Sequence, residues 1–186
     1  MATRALIVVD MQNFFASMGT AAIPNIKKLY SFFKDRSLPI IFTQHGHTKE
    51  ELTPPFKNQV VRRWGPDSSV VKGTSDWELM PEIEKLARNS MIVEKNTYDA
   101  FINTDLTSIL EDHQVESLVV CGVMTDCCCD TTARSASNRG YETWLIGDAC
   151  GSADDKQHEA GLRGFEFMFK NVMSTSEAIS RLQEEL

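Results

Sequence analysis

Residues 122 to 136 read GVMTDCCCDTTARSA and place three cysteines, Cys127, Cys128 and Cys129, directly after the apolar run LVVCGV. Successive residues on a helix point about 100° apart, so three neighbours cannot share one face. A zinc site wants spacers such as C-x2-C that let the chain wrap the ion. At most one of the three thiols therefore faces a given pocket, and the others pack as small hydrophobes. A strand-to-helix turn here puts the thiols in the first turn of a helix. Backbone N–H groups and the helix dipole at that place stabilise a thiolate and can receive an oxyanion. Lys95 offers an ammonium that lowers a thiol pKa. Asp10 offers a carboxylate that can take the thiol proton and hand it to a leaving group. Such a trio suits acyl transfer from an amide.

These residues need elements to bring them together. Short apolar runs at 5–10, 38–44, 90–95, 116–123, 141–148 and 171–174 read as strands. They alternate with helical patterns at 24–36, 76–89 (capped by Ser75 or Asp76), 104–113 (capped by Thr104 or Asp105), 127–139, 155–170 and from 175 to the end. Residues 45–76, rich in Pro, Gly, Ser and charge, read as a long loop, and loops of that length are often functional. Alternating strands and helices predict an α/β, three-layer, doubly wound fold with a mostly parallel six-stranded sheet and helices on both faces. One domain is expected over residues 1–186. Ligands of such sheets bind outside the carboxyl ends of the strands. Asp10, His45 with His47, Lys95, the cysteine run and Asp148 each follow a strand, so all are expected at one edge.

Composition narrows the partners. The net charge of −7 disfavours nucleic acid. No run approaches the length of a membrane span, and Asp10 interrupts the N-terminal apolar stretch too early for a signal peptide. Five cysteines, three of them contiguous, make a poor disulfide framework and fit a reducing, cytoplasmic setting.

The run GVMTDCCCDTTARSA resembles the nucleophile motif of the isochorismatase-like cysteine hydrolases, a family that includes nicotinamidases, N-carbamoylsarcosine amidohydrolase and ureidoacrylate hydrolases. Gly122, Val123, Thr125, Thr132, Ala133 and Ala136 match that motif, and its nucleophile position falls on Cys128. ALIVVDMQNFF resembles the family's first-strand motif, with Asp10 as general base and with Gln12 and Phe15 near the substrate. VEKNTYDAFINTDL resembles the segment that carries the catalytic lysine, here Lys95, and sets Tyr98 and Phe101 near the substrate. The resemblance implies the doubly wound fold, a cis peptide at Val123–Met124, and an oxyanion hole made by the Met124 and Cys128 N–H groups. It also implies a small-molecule substrate and a homo-oligomer. Cys128 is expected to be a thiolate near neutral pH, with Lys95 offsetting Asp10.

Within the family, RRWGPDSS at 62–69 resembles a stretch of the isochorismatases, which cleave a vinyl ether. Those enzymes lack a thiol at the nucleophile position, so Cys128 favours C–N hydrolysis. The segments DMQNFF, VEKNTY and GVMT-x-x-CC-x-TTA are also similar to a subset of plant nicotinamidase-like proteins, which keeps nicotinamide in play. A non-catalytic binding protein and a thiol-redox protein of the same fold remain as other classes. Nicotinamidases bind a metal with an Asp-x-His pair and a further histidine. Here His45 stands at the Asp position beside His47, and no histidine occurs between 48 and 112. No metal and no cofactor are expected, and His45 is read as pocket-lining. Thr125 and Trp64 are further pocket candidates, while Trp64 and Trp77 are equally compatible with packing. His113 reads as a helix cap, His158 as structural, and Asp148 as a turn former.

Overall fold

The computed structural model describes residues 3–185; Leu186, at the end of the acidic tail, lies outside them. Six strands form one sheet in the order β3-β2-β1-β4-β5-β6, and every neighbouring pair is parallel. The strands are β1 (Thr3–Val9), β2 (Ile40–His45), β3 (Met91–Lys95), β4 (Val115–Val123), β5 (Glu142–Gly151) and β6 (Val172–Met173). The helices are α1 (Ala16–Gly19), α2 (Ile23–Asp35), α3 (Gln59–Trp64), α4 (Pro81–Ala87), α5 (Leu106–Asp112), α6 (Asp130–Asn138), α7 (Asp155–Phe169) and α8 (Thr175–Glu185).

Central parallel strands are buried on both faces and therefore read as unbroken apolar runs. In β1, Ala5 through Val9 are all fully buried, and so are Leu118 to Cys121 of β4. The edge strand β3 alternates instead: Val93 and Lys95 point inward while Ile92 and Glu94 face outward. Helix α2 buries Ile26, Leu29, Phe32 and Phe33 at helical spacing. The strand order reverses direction between β1 and β4, which makes their carboxyl ends the crevice of a doubly wound sheet. Gly122 is required there. Its φ is 118°, and a Cβ would lie 2.2 Å from the Val9 carbonyl oxygen.

Four sequence expectations change. The 45–76 segment contains α3, capped by the Asn58 side chain and stopped by Gly65 at φ 82°. Six residues, QVVRRW, are too few for a periodic signal. Helix α4 starts at Pro81 after Met80, not at 76. Residues 79–80 are held extended by the Gln12–Leu79 bridge and by the Met80 N–H bond to the Met11 carbonyl, so tertiary pairing overrides the helical pattern. The turn before α6 is a π-helical turn over Thr125–Cys129. Strand β5 runs past Asp148 to Gly151, because a register shift pairs Cys150 with Gly122.

Candidate active site

Asp10 follows β1 with φ 47°, a left-handed conformation that Asp tolerates better than most residues. Its backbone N–H donates to Thr43 Oγ1 at 3.1 Å, and the Thr43 hydroxyl donates to Asp10 Oδ1 at 2.6 Å. The other carboxylate oxygen meets Lys95 Nζ at 2.6 Å, with both side chains fully buried. Lys95 Nζ also donates to the Thr97 carbonyl at 2.9 Å. Strand pairing explains the meeting: His45 of β2 lies opposite Lys95 of β3, and Thr43 lies two residues earlier on the same face.

Beyond β4 the Val123–Met124 peptide is cis. The Met124 carbonyl accepts the N–H groups of Cys127 at 3.1 Å and Cys129 at 3.0 Å. This turn gives each thiol a different environment. Cys128 is buried in the field of the Lys95 ammonium, Cys129 is fully buried, and Cys127 is half-buried. Helix α7 braces the turn. Thr125 Oγ1 and His158 Nδ1 share a 2.7 Å hydrogen bond, and Ser152 donates to Asp126. Gly161 allows the close seat, since a Cβ there would lie 2.7 Å from Asp126 Cα.

The charges are interlocked. Burial works against the Lys95 ammonium, but Asp10 and then Cys128 outweigh it and hold its pKa above the usual lysine range. The Cys128 thiol is pushed well above its ordinary value, first by its contact with Cys127 and then by burial, while Lys95 pulls it down. Cys127 moves down, chiefly because Cys128 hydrogen-bonds to it. Burial thus works against a Cys128 thiolate and Lys95 works for it.

The remaining candidates separate into neighbours of the trio and residues with other work. His45 is buried beside Lys95, with its ring bonded to the Thr97 backbone. Burial and the Lys95 charge lower its pKa to about 3, so it is neutral. Tyr98 lines a cavity of about 690 Å³ with Asn58, Arg63, Asn96, Thr97 and Thr131. That cavity opens along the segment immediately after Lys95. Trp64 is 55% exposed and donates from Nε1 to the Tyr98 hydroxyl at 2.7 Å, so it touches the cavity wall through Tyr98. Thr125 is committed to His158. Gln12 does not face a pocket. Its amide is consumed by the His45 and Trp77 carbonyls and the His45 N–H, tying β2 to the 77–80 segment. Phe15 packs in the core edge-on to Phe14. Phe101 is likewise core, stacked on Tyr141 beneath Arg139. Asp148 forms no turn; it accepts from the Thr175 N–H and hydroxyl at 2.7 Å each and so caps α8. His113 is the C-cap residue of α5.

His45 and His47 stand edge-on with ring centroids 5.0 Å apart. Both His47 nitrogens and His45 Nδ1 are buried without a partner. Glu51 Oε2 comes no closer than 3.8 Å to His47 Nδ1. Among the described residues no three His, Cys, Asp or Glu side chains gather to hold a metal. Two imidazoles do not make the donor set that zinc takes, so the residues present do not fit the metal of nicotinamidases.

Sequence reasoning missed Thr43, Thr97 and the role of His158, and it reached Thr132 only as a match to the nucleophile motif. Thr132 Oγ1 accepts from the Ala100 N–H at 3.1 Å and donates to the Tyr98 carbonyl at 3.3 Å, locking α6 to the segment after Lys95. Only Thr43 left a signal, as a lone hydroxyl on the inward face of an apolar strand.

Comparison with known proteins places this arrangement. An Isochorismatase domain model matches residues 4–177. The chain belongs to the isochorismatase family. It is a hydrolase of that family, and the proteins it resembles include cysteine and amide hydrolases. Nicotinamidase 3 of Arabidopsis thaliana is 36% identical over 166 residues, covering 89% of this chain and 81% of that protein. The ureidoacrylate amidohydrolase RutB of Acinetobacter baylyi is 26% identical over 205 residues, covering 96% of this chain and 83% of that one. A cysteine hydrolase structure from Pseudomonas syringae pv. phaseolicola superposes with a TM-score of 0.86 at 26% identity, covering 98% of this chain and 93% of that chain. No helix among the described residues is long and apolar enough to cross a membrane.

Proposed function

We propose that the protein hydrolyses a C–N bond of a small amide or ureide, with Cys128, Asp10 and Lys95 as its catalytic residues. The observation that carries this reading is the buried 2.6 Å Lys95–Asp10 pair at the carboxyl edge of the sheet, with Cys128 buried in the field of the same ammonium. Cys128 rests as a thiol and needs a base. Asp10 takes its proton as Sγ attacks the carbonyl carbon. The Met124 and Cys128 N–H groups hold the resulting oxyanion, a role for which fixed backbone donors are well suited. Asp10 then gives the proton to the nitrogen as the C–N bond breaks, and the amine or ammonia leaves. Water, deprotonated by Asp10, attacks the thioester, and the acid departs as the Cys128 thiol is restored. Lys95 balances the charge on Asp10 and on sulfur through each step. No step uses a metal.

The test is a substrate panel of nicotinamide, pyrazinamide, ureidoacrylate, N-carbamoyl compounds and isochorismate, read by ammonia and pyruvate release. Ammonia release that survives exhaustive chelation is expected. Pyruvate from isochorismate with no ammonia from any amide overturns the reading. Self-association belongs to the same proposal: α7 exposes Phe167 and Met168, apolar surface that a second copy would cover. Light scattering that finds a monomer at working concentration removes that part.

A further inference from the structure

Hydrolysis as proposed uses one of three adjacent thiols. Cys129 is fully buried, but Cys127 is the most exposed of the three and lies peptide-bonded to the residue read as nucleophile. We propose that Cys127 and Cys128 form a reversible redox pair: Cys127 meets a hydroperoxide first, and the two sulfurs then close a disulfide that shields the nucleophile from irreversible oxidation. The inference rests on the reading of Cys128 as nucleophile only where activity is followed.

The chemistry balances. Cys127 sulfur attacks the peroxide oxygen, the O–O bond breaks, and an alcohol or water leaves as Cys127 becomes a sulfenic acid. Cys128 sulfur then displaces the sulfenic oxygen, which departs as water with the Cys128 proton. Two thiols and one hydroperoxide become a disulfide, an alcohol and water. Two molecules of a small thiol reverse the step by exchange. Access sets the order: Cys128 has 5% of its surface exposed, while Cys127 sits at the outer side of the turn. The lowered pKa of Cys127 adds to its reactivity. Consecutive Cα atoms are about 3.8 Å apart, short of the roughly 4.4–6.8 Å usual for disulfides, so the eight-membered ring is strained and readily reduced. That suits a temporary cap. Closing the ring takes the Cys128 sulfur away from Lys95 and stops turnover.

The rival pair is Cys129 with Cys150, whose nearness adds to the rise in the Cys129 pKa that burial causes. Both are buried in the core, which denies them oxidant.

The experiment treats the protein with hydrogen peroxide, alkylates the remaining thiols with iodoacetamide, and maps the peptide carrying residues 127–129. Wild type is expected to lose two hydrogens across Cys127 and Cys128, with Cys129 alkylated, and to return fully with dithiothreitol. Cys128→Ser is expected to stop at a Cys127 sulfenic acid that a dimedone probe traps. Cys127→Ala is expected to accumulate sulfinic acid on Cys128, and the fraction of its activity that dithiothreitol restores falls roughly tenfold. A Cys129–Cys150 bridge in place of the vicinal one, or equal Cys128 sulfinic acid in wild type and Cys127→Ala, overturns the proposal. Peptide masses decide this without any substrate, so failure of the amide reading remains separate.

Discussion

Two regions meet at the carboxyl edge of the sheet and are built on opposite principles. The first is the proposed reaction centre, where Asp10, Lys95 and Cys128 are each buried at the ends of β1, β3 and β4. The second is the excursion from 46 to 76, which carries a six-residue helix and sets Trp64 on the surface with Arg63 over its ring at 4.7 Å. Packing against the core holds the first region, whereas the second buries little beyond His47, Val61 and Val70 and is otherwise tied by hydrogen bonds, among them Asn58 Nδ2 to the Asn96 carbonyl at 2.9 Å. The lesson is a division of labour. On the proposed reading the buried Lys95–Asp10 pair fixes where the chemistry happens, and the more open excursion shapes what reaches it. Changes in the first region should therefore strike turnover and stability together, and changes in the second should strike substrate affinity alone.

The largest effects are expected in the buried pair. Lys95→Met leaves the Asp10 carboxylate buried and unpaired, which costs about 3–5 kcal/mol of stability. Turnover is expected to fall by roughly 10³-fold or more, since a nucleophile without its charge partner is the removal of a catalytic unit. Denaturant unfolding and steady-state kinetics on one preparation check both. Stability equal to wild type would break the comparison at its stronger end.

Thr43→Val comes next. It removes one hydroxyl that accepts from the Asp10 N–H and donates to Oδ1. About 1–3 kcal/mol of stability is expected to go, the usual cost of a buried polar group left unsatisfied. Turnover should drop with KM little changed, because Asp10 loses its orientation rather than its access to substrate.

His45 gives a pH signature. Its folded pKa, about 3, lies below the ordinary histidine value of 6.5 because burial and then Lys95 penalise the imidazolium. The unfolded chain therefore binds a proton that the folded chain refuses. Stability is full above the unfolded pKa and falls as pH drops below about 6.5, with a slope near 1.4 kcal/mol per pH unit from this group. Asp10, Lys95, His47 and the Thr97 carbonyl face this ring, so the His45→Gln profile must be set against wild type to isolate it. A flatter profile between pH 6 and 4 is expected in the variant, on chemical denaturation at each pH. Parallel profiles would show that His45 takes up a proton in the folded state.

Trp64→Ala is the smallest and belongs to the second region. It removes the 2.7 Å bond to Tyr98 but little buried surface. KM is expected to rise up to about tenfold, with kcat within twofold and unfolding unchanged, as for a contact that binds ground and transition states alike. A kcat loss as large as that of Thr43→Val would erase the division between the regions.

The same division explains what the sequence revealed. Apolar strand patterns and the residues that follow them were legible: Asp10 after ALIVV, Lys95 after MIVE and the cysteines after LVVCGV all sit where a parallel sheet puts its ligands. Partners created by strand register were not legible. Thr43 reaches Asp10 only because β2 lies beside β1 in one register, and the Thr125–His158 bond joins residues 33 apart. Gln12 shows the same limit. Its place in the first motif points to a supporting hydrogen-bond role, but only the fold names the partners, the backbones of His45 and Trp77. Helix α3 and the late start of α4 were hidden because short segments take their conformation from tertiary contacts more than from pattern.

The central claim is that Cys128, and no neighbouring thiol, forms the covalent link to substrate through the Lys95–Asp10 pair. The most direct measurement is to quench turnover of an amide found in the panel with acid, digest the protein, and locate the acyl group by mass. The expected result is a thioester on Cys128 that is absent from Cys128→Ala and from Asp10→Asn, where the thiol lacks its base and the leaving nitrogen its acid. An acyl group on Cys127, or rapid ammonia release in Cys128→Ala, would contradict the account.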